Sequence, residues 1–533
     1  RVLIITDAVA SYDSLHAEIS RTFLSERGAE LVSSSDLPER LSAPNQKVTK
    51  RTTNGLTHPV ACVNGQWIER TVEETTELRN PSRWDEVLGF VPHATMSAVV
   101  SAVSAANRAQ KDWQAEPMES RLCLVNQWFK RLEESFEDML PWMMKEVGKP
   151  ITACRAELDL LRNSIRVINE TIGRETFEQI CTETDSQVAR ARRRPLGVVA
   201  MLAPWNNPVF LPASKIAAAL ALGNAVVWKP ALPCAKTSAL IQESIAEAGI
   251  PTGLVNLVYG GPETARCLIS QAQVKAVTLT GSIDTGRQVA ALCGSYLKPL
   301  QAELGGNNAA IVTEHCDIMS VAEMVAMSAF GYAGQACTAT RRVIVMKSIE
   351  TGFLQHLKAT VEKLFIGLPE SETTVIGPVI SRSQKQKINH LVSRLDDSVA
   401  VFASPVPEEL EDKGCWLPSR IISGLSPEAD LIQQETFAPV LVVQVAEDLA
   451  QAIHLCNAVP QGLISALFSD REQDQQFFRD TANTGVVQLN LPTRNLHMES
   501  PFGGWKASGL GPPEHGVWDL DFYTRWQAVN ERK

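Results

Sequence analysis

From residue 196 the chain alternates short apolar runs with longer stretches of helical periodicity. GVVAMLAP, NAVVWKP, GLVNLVYG and AVTLTG are near-continuous apolar runs, as strands covered on both faces read. Between them the pattern predicts helices over 212–222, 236–248 and near 262–270. Such alternation is that of a parallel sheet with helices on its faces. A second alternating run opens at AAIVT, 309–313, and continues to about residue 490. Upstream, Ser97–Trp113, Ser120–Val147 and Ala153–Gly173 carry helical patterns with few glycines, and ACVNGQWIE reads as an edge hairpin. Residues 177–195 alternate like a hairpin and hold four closely spaced arginines. At the start, RVLIIT and AELVSS read as strands around a helix over Ser14–Arg27, with Leu15, Ile19, Phe23 and Leu24 on one face. Residues 1–41 are thus a partial α/β fragment, and the polar 42–59 a linker.

Composition narrows the class. The 533 residues are 44% hydrophobic and 21% charged, ordinary for a globular chain and enough for two or three domains. A net charge of −10 with no dominant basic patch argues against a nucleic-acid partner. No apolar run approaches the ~18 residues of a membrane span, and the N-terminus has no secretory pattern. The eleven cysteines are scattered without CxxC spacing, so they form neither a zinc motif nor a disulfide framework, and no metal is expected. An odd number of dispersed thiols fits a reducing compartment, hence the cytoplasm.

Seven segments could carry chemistry. LAPWNNP, 202–208, projects amide side chains from the carboxyl end of a strand, where open α/β sheets bind ligands; the alternative is a capping Asn. VVWKP places Lys229 at the end of an apolar strand, where a ribose or phosphate would serve it as well as solvent would. LTGSIDTG ends a strand at Thr280, and Gly281-Ser282 open a helix whose N–H groups suit a phosphate, although no GxGxxG is present. In QAELGGNN, Glu303 lies in an apolar setting that raises a carboxylate pKa toward a general base, or else it is a paired structural Glu. QQETFAPV and SPFGGWKASGLGPPEHG are weaker alone. GYAGQACTATRR then sets Cys337 among small and polar residues, either as a core thiol or as a presented nucleophile.

Taken in order, PWNNP, WKP, TGS, ELGG, GQACTATRR, ETFAPV and PFGGWKASG resemble the aldehyde dehydrogenase superfamily over about residues 56–530. The separation of 34 residues between Glu303 and Cys337 is similar too. The resemblance implies an α/β fold with a Rossmann-like cofactor-binding domain over 60–176 and 196–304. It implies a catalytic α/β domain over 305–517 and a small β oligomerisation arm over 177–195 and 518–530, giving a homodimer or homotetramer. It implies oxidation of an aldehyde to a carboxylic acid: Cys337 attacks, Asn206 and the Cys337 N–H hold the oxyanion, and Glu303 activates the hydrolytic water. Trp205, Lys229, Gly281, Ser282, Glu435 and Phe437 become cofactor-binding residues. One departure bears on the cofactor: Leu232 stands where NAD-using members often carry Glu, so NADP is tolerated beside NAD. Asn307 replaces a frequent Lys, with little consequence expected. Thr338 flanks the nucleophile, and Arg494 and His497 sit on a loop that lines the aldehyde tunnel in the family. A semialdehyde or other polar aldehyde follows, unless both side chains face solvent or a neighbouring subunit. Glu303 disfavours a coenzyme A-acylating variant, and the presence of Cys337, Glu303 and Asn206 disfavours a non-catalytic use of the fold. Residues 1–41 lie outside this pattern. The DAVAS turn, the helix with His16 and the last strand resemble the C-terminal end of an isochorismatase-like cysteine hydrolase, and with Arg1 first the expectation is a truncated fusion.

Overall fold

The computed structural model describes residues 58–69, 74–173 and 177–533, and the backbone of Val2–Ile5 and Ala29–Val32. Those last two segments are strands, as read from the sequence, and they pair in parallel; they belong to a separate unit that runs up to Gly55. The helix expected over Ser14–Arg27, the DAVAS turn and most of the linker lie outside the described residues.

Residues 56–533 form a second unit, built on two large sheets. The first has eight strands in the order Gly509–Leu510, Leu300–Glu303, Val274–Thr280, Val198–Ala203, Ala225–Pro230, Val255–Val258, Ala61–Val63 and Gln66–Ile68. Its five central strands are parallel, and the edge strands run antiparallel. The parallel strands are buried on both faces, which is why their sequences are continuous apolar runs rather than alternating ones. Helices Phe210–Ala221, Ala235–Glu247, Pro262–Ser270 and Ile283–Ser295 connect them, close to the spans expected. Strand order reverses between Val198–Ala203 and Val274–Thr280, and a ligand crevice opens at such a switch point.

The second sheet has seven strands in the order Ala400–Ser404, Ser419–Ser423, Val440–Ala446, Arg342–Met346, Ala309–Val312, Ile464–Phe468 and Val486–Leu489. A separate three-stranded antiparallel sheet joins Glu178–Glu183, Gln187–Pro195 and Thr524–Arg532, with every residue of Glu178–Glu183 exposed. The hairpin expected at 61–68 forms at the sheet edge, turning through Asn64 and Gly65 with φ of 52° and 75°.

Three expectations are corrected. The long helix over Ser120–Val147 is two helices, Met118–Glu134 and Phe136–Val147. Ser135 interrupts them because its hydroxyl donates to the carbonyls of Arg131 (3.0 Å) and Leu132 (3.2 Å), competing with the helical ladder. The final strand begins only at Thr524, since Asp519–Tyr523 is a helical turn that buries Leu520, Phe522 and Tyr523. Finally, Gly509–Leu510 joins the first sheet and pairs with Ala302 and Glu303, although its sequence position falls in the second half of the chain.

Candidate active site

The carboxyl ends of three parallel strands open on one cavity of about 460 Å³. Pro204, Trp205 and Asn206 follow the strand Val198–Ala203, Gly281 and Ser282 follow Val274–Thr280, and Glu303 ends Leu300–Glu303. From the other half of the unit come Cys337, Glu435, Phe437, Leu463 and Phe502. Seven of the residues singled out in the sequence for catalysis or cofactor binding, plus Cys337 itself, therefore meet around one space.

Cys337 sits in a loop between the helix Ile318–Phe330 and the strand Arg342–Met346. Tyr332, Ala333 and Gly334 adopt left-handed φ of 55°, 52° and 68°, a sharp reversal that is costly for the two non-glycines. Burial of Tyr332 and two hydrogen bonds of Gln335, to the Pro378 carbonyl (3.0 Å) and from the Ile380 N–H (2.8 Å), hold the reversal. The turn is therefore packed, not open, and only Cys337 is partly exposed toward the cavity. Its carbonyl accepts from the Asn308 amide (2.7 Å), which also grips Ala339 (2.9 Å). Burial, then the nearby Glu435 and Glu303 carboxylates, push the thiol up to about 12. The protein alone thus keeps the thiol protonated near neutral pH.

Glu303 is buried, and its carboxylate accepts from the Gly504 N–H (3.2 Å). Burial, followed by the charge of Glu514, raises its pKa well above the usual carboxylate range. Glu514 is itself buried and ion-paired with Lys215, whose ammonium also donates to the Thr278 hydroxyl (2.9 Å). Glu435, likewise raised by burial to about 7 and opposed by Arg341, accepts from the Gly306 N–H (3.3 Å). The double glycine of ELGG is required here: a Cβ on Gly305 would lie 2.0 Å from a Glu435 carboxylate oxygen.

Asn206 is buried against the cavity, and among the described residues its side-chain amide has no protein partner. Trp205 packs edge-on against Phe437 at 5.6 Å, and Phe437 has a left-handed φ of 47°. Ser282 caps the helix Ile283–Ser295 by accepting from the Thr285 N–H (3.2 Å), so the free N–H groups of that helix end face the crevice.

Four sequence candidates do not line this cavity. Lys229 ends its strand with its ammonium on the carbonyls of Gly260 (3.1 Å) and Pro230 (3.2 Å), and burial lowers its pKa to about 8. Thr338 is buried, its carbonyl bound by the Thr493 hydroxyl (2.7 Å). Arg494 is half-buried behind the Cys337 loop, donating to the Gly331 carbonyl (3.0 Å). His497 is exposed and bonded to Asn495 (3.0 Å), so it lies outside the substrate surroundings expected for it. Sequence reasoning missed Lys215, Glu514, Lys149 and Asn308. Lys215 carried a legible signal, a lone cation in the otherwise apolar helix FLPASKIAAALA; the others carried none without the fold.

The geometry can be set beside known proteins. The aldehyde dehydrogenase family model matches residues 67–529. The alpha-ketoglutaric semialdehyde dehydrogenase of Bacillus subtilis (strain 168) is 30% identical over 477 residues, spanning 88% of this chain and 96% of that protein. The 2,5-dioxopentanoate dehydrogenase of Saccharolobus solfataricus is 31% identical over 472 residues, spanning 87% and 98%. Among solved structures, betaine aldehyde dehydrogenase from Staphylococcus aureus in complex with NAD+ superimposes with a TM-score of 0.84 at 26% identity, covering 89% of this chain and 94% of that one. Match length, topology and the order of the motifs agree, and the chain belongs to the aldehyde dehydrogenase family.

Proposed function

We propose that the protein oxidises a polar aldehyde, a semialdehyde in the first instance, to its carboxylic acid with NAD, through Cys337, Asn206 and Glu303. The observation that carries this reading is their convergence on one cavity that also holds Gly281, Ser282 and Glu435. The cleft suits a nicotinamide dinucleotide. A helix N-terminus with unsatisfied N–H groups suits the pyrophosphate, Glu435 beside the bare Gly305 suits a ribose, and Lys229 at its strand end suits the other ribose. The relative of known structure is one with NAD+ bound. Leu232 brings no carboxylate against a 2′-phosphate, so NADP is tolerated in this reading.

The Cys337 sulfur adds to the aldehyde carbon, and its proton passes to the Glu435 carboxylate and from there to solvent, leaving Glu303 free for the later step. The Asn206 amide and the Cys337 N–H donate to the resulting oxyanion. When bound, the nicotinamide ring accepts the hydride from that carbon, which leaves the acyl group on Cys337 as a thioester. Glu303, ionised, takes a proton from water as the water adds to the thioester; the acid departs and that proton returns to the Cys337 sulfur, restoring the thiol and the carboxylate. Arg494 does not wall the cavity, but its guanidinium stands within Coulombic reach of Cys337 and in this reading favours a polar or carboxylate tail by its charge; the semialdehyde names of the relatives support that choice of substrate.

The wider reading follows the same family. Residues 60–176 with 196–304, joined by the strand Gly509–Leu510, form the cofactor domain, the rest of 305–517 the catalytic domain, and 177–195 with the strand from Thr524 an arm whose exposed edge Glu178–Glu183 pairs with a second copy, giving a dimer or tetramer. Eleven cysteines without a disulfide support a reducing, cytoplasmic setting. The first 41 residues are read as the end of an isochorismatase-like hydrolase, supported by the parallel pairing of Val2–Ile5 with Ala29–Val32.

The test is nicotinamide reduction over a panel of aldehydes with and without a carboxylate tail, with NAD and NADP in parallel. Wild type should turn over and Cys337→Ala should not. Arg494→Ala should raise KM for carboxylate-bearing aldehydes at least tenfold more than for neutral ones. Turnover by Cys337→Ala at the wild-type rate refutes the mechanism, and an equal KM change on both substrate sets refutes the role of Arg494.

A further inference from the structure

Lys149 lies in the tight connection between the helices Phe136–Val147 and Ile151–Ile172, far in sequence from every catalytic candidate. Its side chain is 3% exposed. An ammonium has three N–H donors, and all three are used: one on the Glu157 carboxylate, one on the Asn206 carbonyl (3.1 Å), one on the Asn207 side-chain oxygen (2.6 Å). Glu157, buried as deeply, uses its second oxygen to accept from the N–H groups of Val209 (3.1 Å) and Phe210 (2.8 Å), the start of the next helix. The end of the PWNNP loop and the start of the helix after it are thus clamped at four places, 206, 207, 209 and 210, by one buried ion pair.

The same ammonium sits 5.2 Å from the centre of the Tyr332 ring. Tyr332 is the first left-handed residue of the loop that ends at Cys337, and its hydroxyl reaches the Val147 carbonyl (3.4 Å), just before Lys149. One cation therefore touches both segments that carry the proposed oxyanion donors. Asn206 has no side-chain partner of its own among the described residues, so its amide is aimed only by the backbone that Lys149 holds.

We infer that Lys149 is a positioning residue, which fixes the Asn206 amide relative to the Cys337 thiol and so sets the strength of the oxyanion site. This rests on the reading of Asn206 as an oxyanion donor. A displacement near 1 Å in such a site costs about 10²-fold in rate, and loss of one oxyanion donor about 10²–10³-fold.

The experiment is a double-mutant cycle on the whole protein, with Lys149→Met, Asn206→Ala and both together, assayed for kcat and KM on one aldehyde. Alkylation of Cys337 by iodoacetamide, which forms no oxyanion, is the parallel readout. Because Lys149→Met strands Glu157 in the core, Lys149→Met/Glu157→Gln is made alongside to keep the fold free of an unpaired buried charge. Lys149→Met and its Glu157→Gln partner should lose about 10²-fold in kcat with KM within threefold and alkylation unchanged. Added to Asn206→Ala, Lys149→Met should cost less than threefold more, because the two act as a unit. Wild-type kcat in the Lys149 variants overturns the inference, as do losses that multiply in the double variant, or alkylation that slows in step with turnover. If Asn206→Ala alone leaves kcat unchanged while Cys337→Ala abolishes it, the oxyanion reading of Asn206 has failed, and this inference falls with it.

Discussion

Replacing Glu303 by Gln changes one atom, keeps the side chain's shape and removes the only carboxylate that can act on water at the acylated thiol in the proposed mechanism. The carboxylate ends a fully buried strand and faces the cavity with Cys337. Burial and Glu514 hold its pKa well above the usual value, which makes it a stronger base once ionised. General-base catalysis is worth about 10²–10⁴ in rate, or roughly 3–5 kcal/mol of barrier at about 1.4 kcal/mol per decade. The loss should fall on deacylation alone, since Cys337 and Asn206 remain. In stopped flow, Glu303→Gln should give a burst of reduced nicotinamide near one equivalent per site, then a steady rate at least 10²-fold below wild type. The acyl-enzyme should be visible by intact mass. The wild-type steady rate should rise with pH, because a raised pKa keeps Glu303 neutral and useless as a base until pH passes it; the variant should lose that limb. Folding should be untouched, as Gln keeps the shape of the neutral acid and can still accept from the Gly504 N–H. A variant whose steady rate stays within threefold of wild type, or that shows no burst and no acyl-enzyme, refutes this account of Glu303.

Two further outcomes follow from the same structure. Lys215→Met leaves Glu514 buried without its partner, beside Glu303, and should cost about 3–5 kcal/mol in urea unfolding; Lys215→Met/Glu514→Gln should recover most of it, and failure to recover would show that packing, not charge, sets the loss. Leu232→Glu should depress kcat/KM with NADP at least tenfold while leaving NAD within threefold, measured by initial rates with each cofactor; equal change in both would detach this position from the adenosine end.

Much of the first sheet was legible because its strands are buried on both faces, so apolar runs such as GVVAMLA and AVVWKP could hardly be read otherwise. The same applies to the PWNNP, TGS and ELGG turns, which fall at strand ends and meet at the switch point. What escaped depends on contacts between segments distant in sequence. Ser135 breaks a helix through its own hydroxyl, a choice that periodicity does not register. The Lys149–Glu157 pair joins residues eight apart to a loop more than fifty further on, and no local pattern announces such a clamp. Arg494 and His497 had the residue types of a binding loop, but only the fold decides which way the loop turns them.

The short strand Gly509–Leu510 closes the edge of the first sheet directly against Glu303, and Gly504, Ser508 and Glu514 from the same terminal stretch bind or crowd the ELGG segment. During translation, then, Cys337 and the turns at 204–206 and 281–282 are synthesised well before the groups that surround Glu303. A chain still lacking its last few dozen residues has the thiol of the proposed mechanism without the finished surroundings of its proposed base. In the proposed mechanism, competence to hydrolyse the thioester therefore arrives only when the chain is nearly complete.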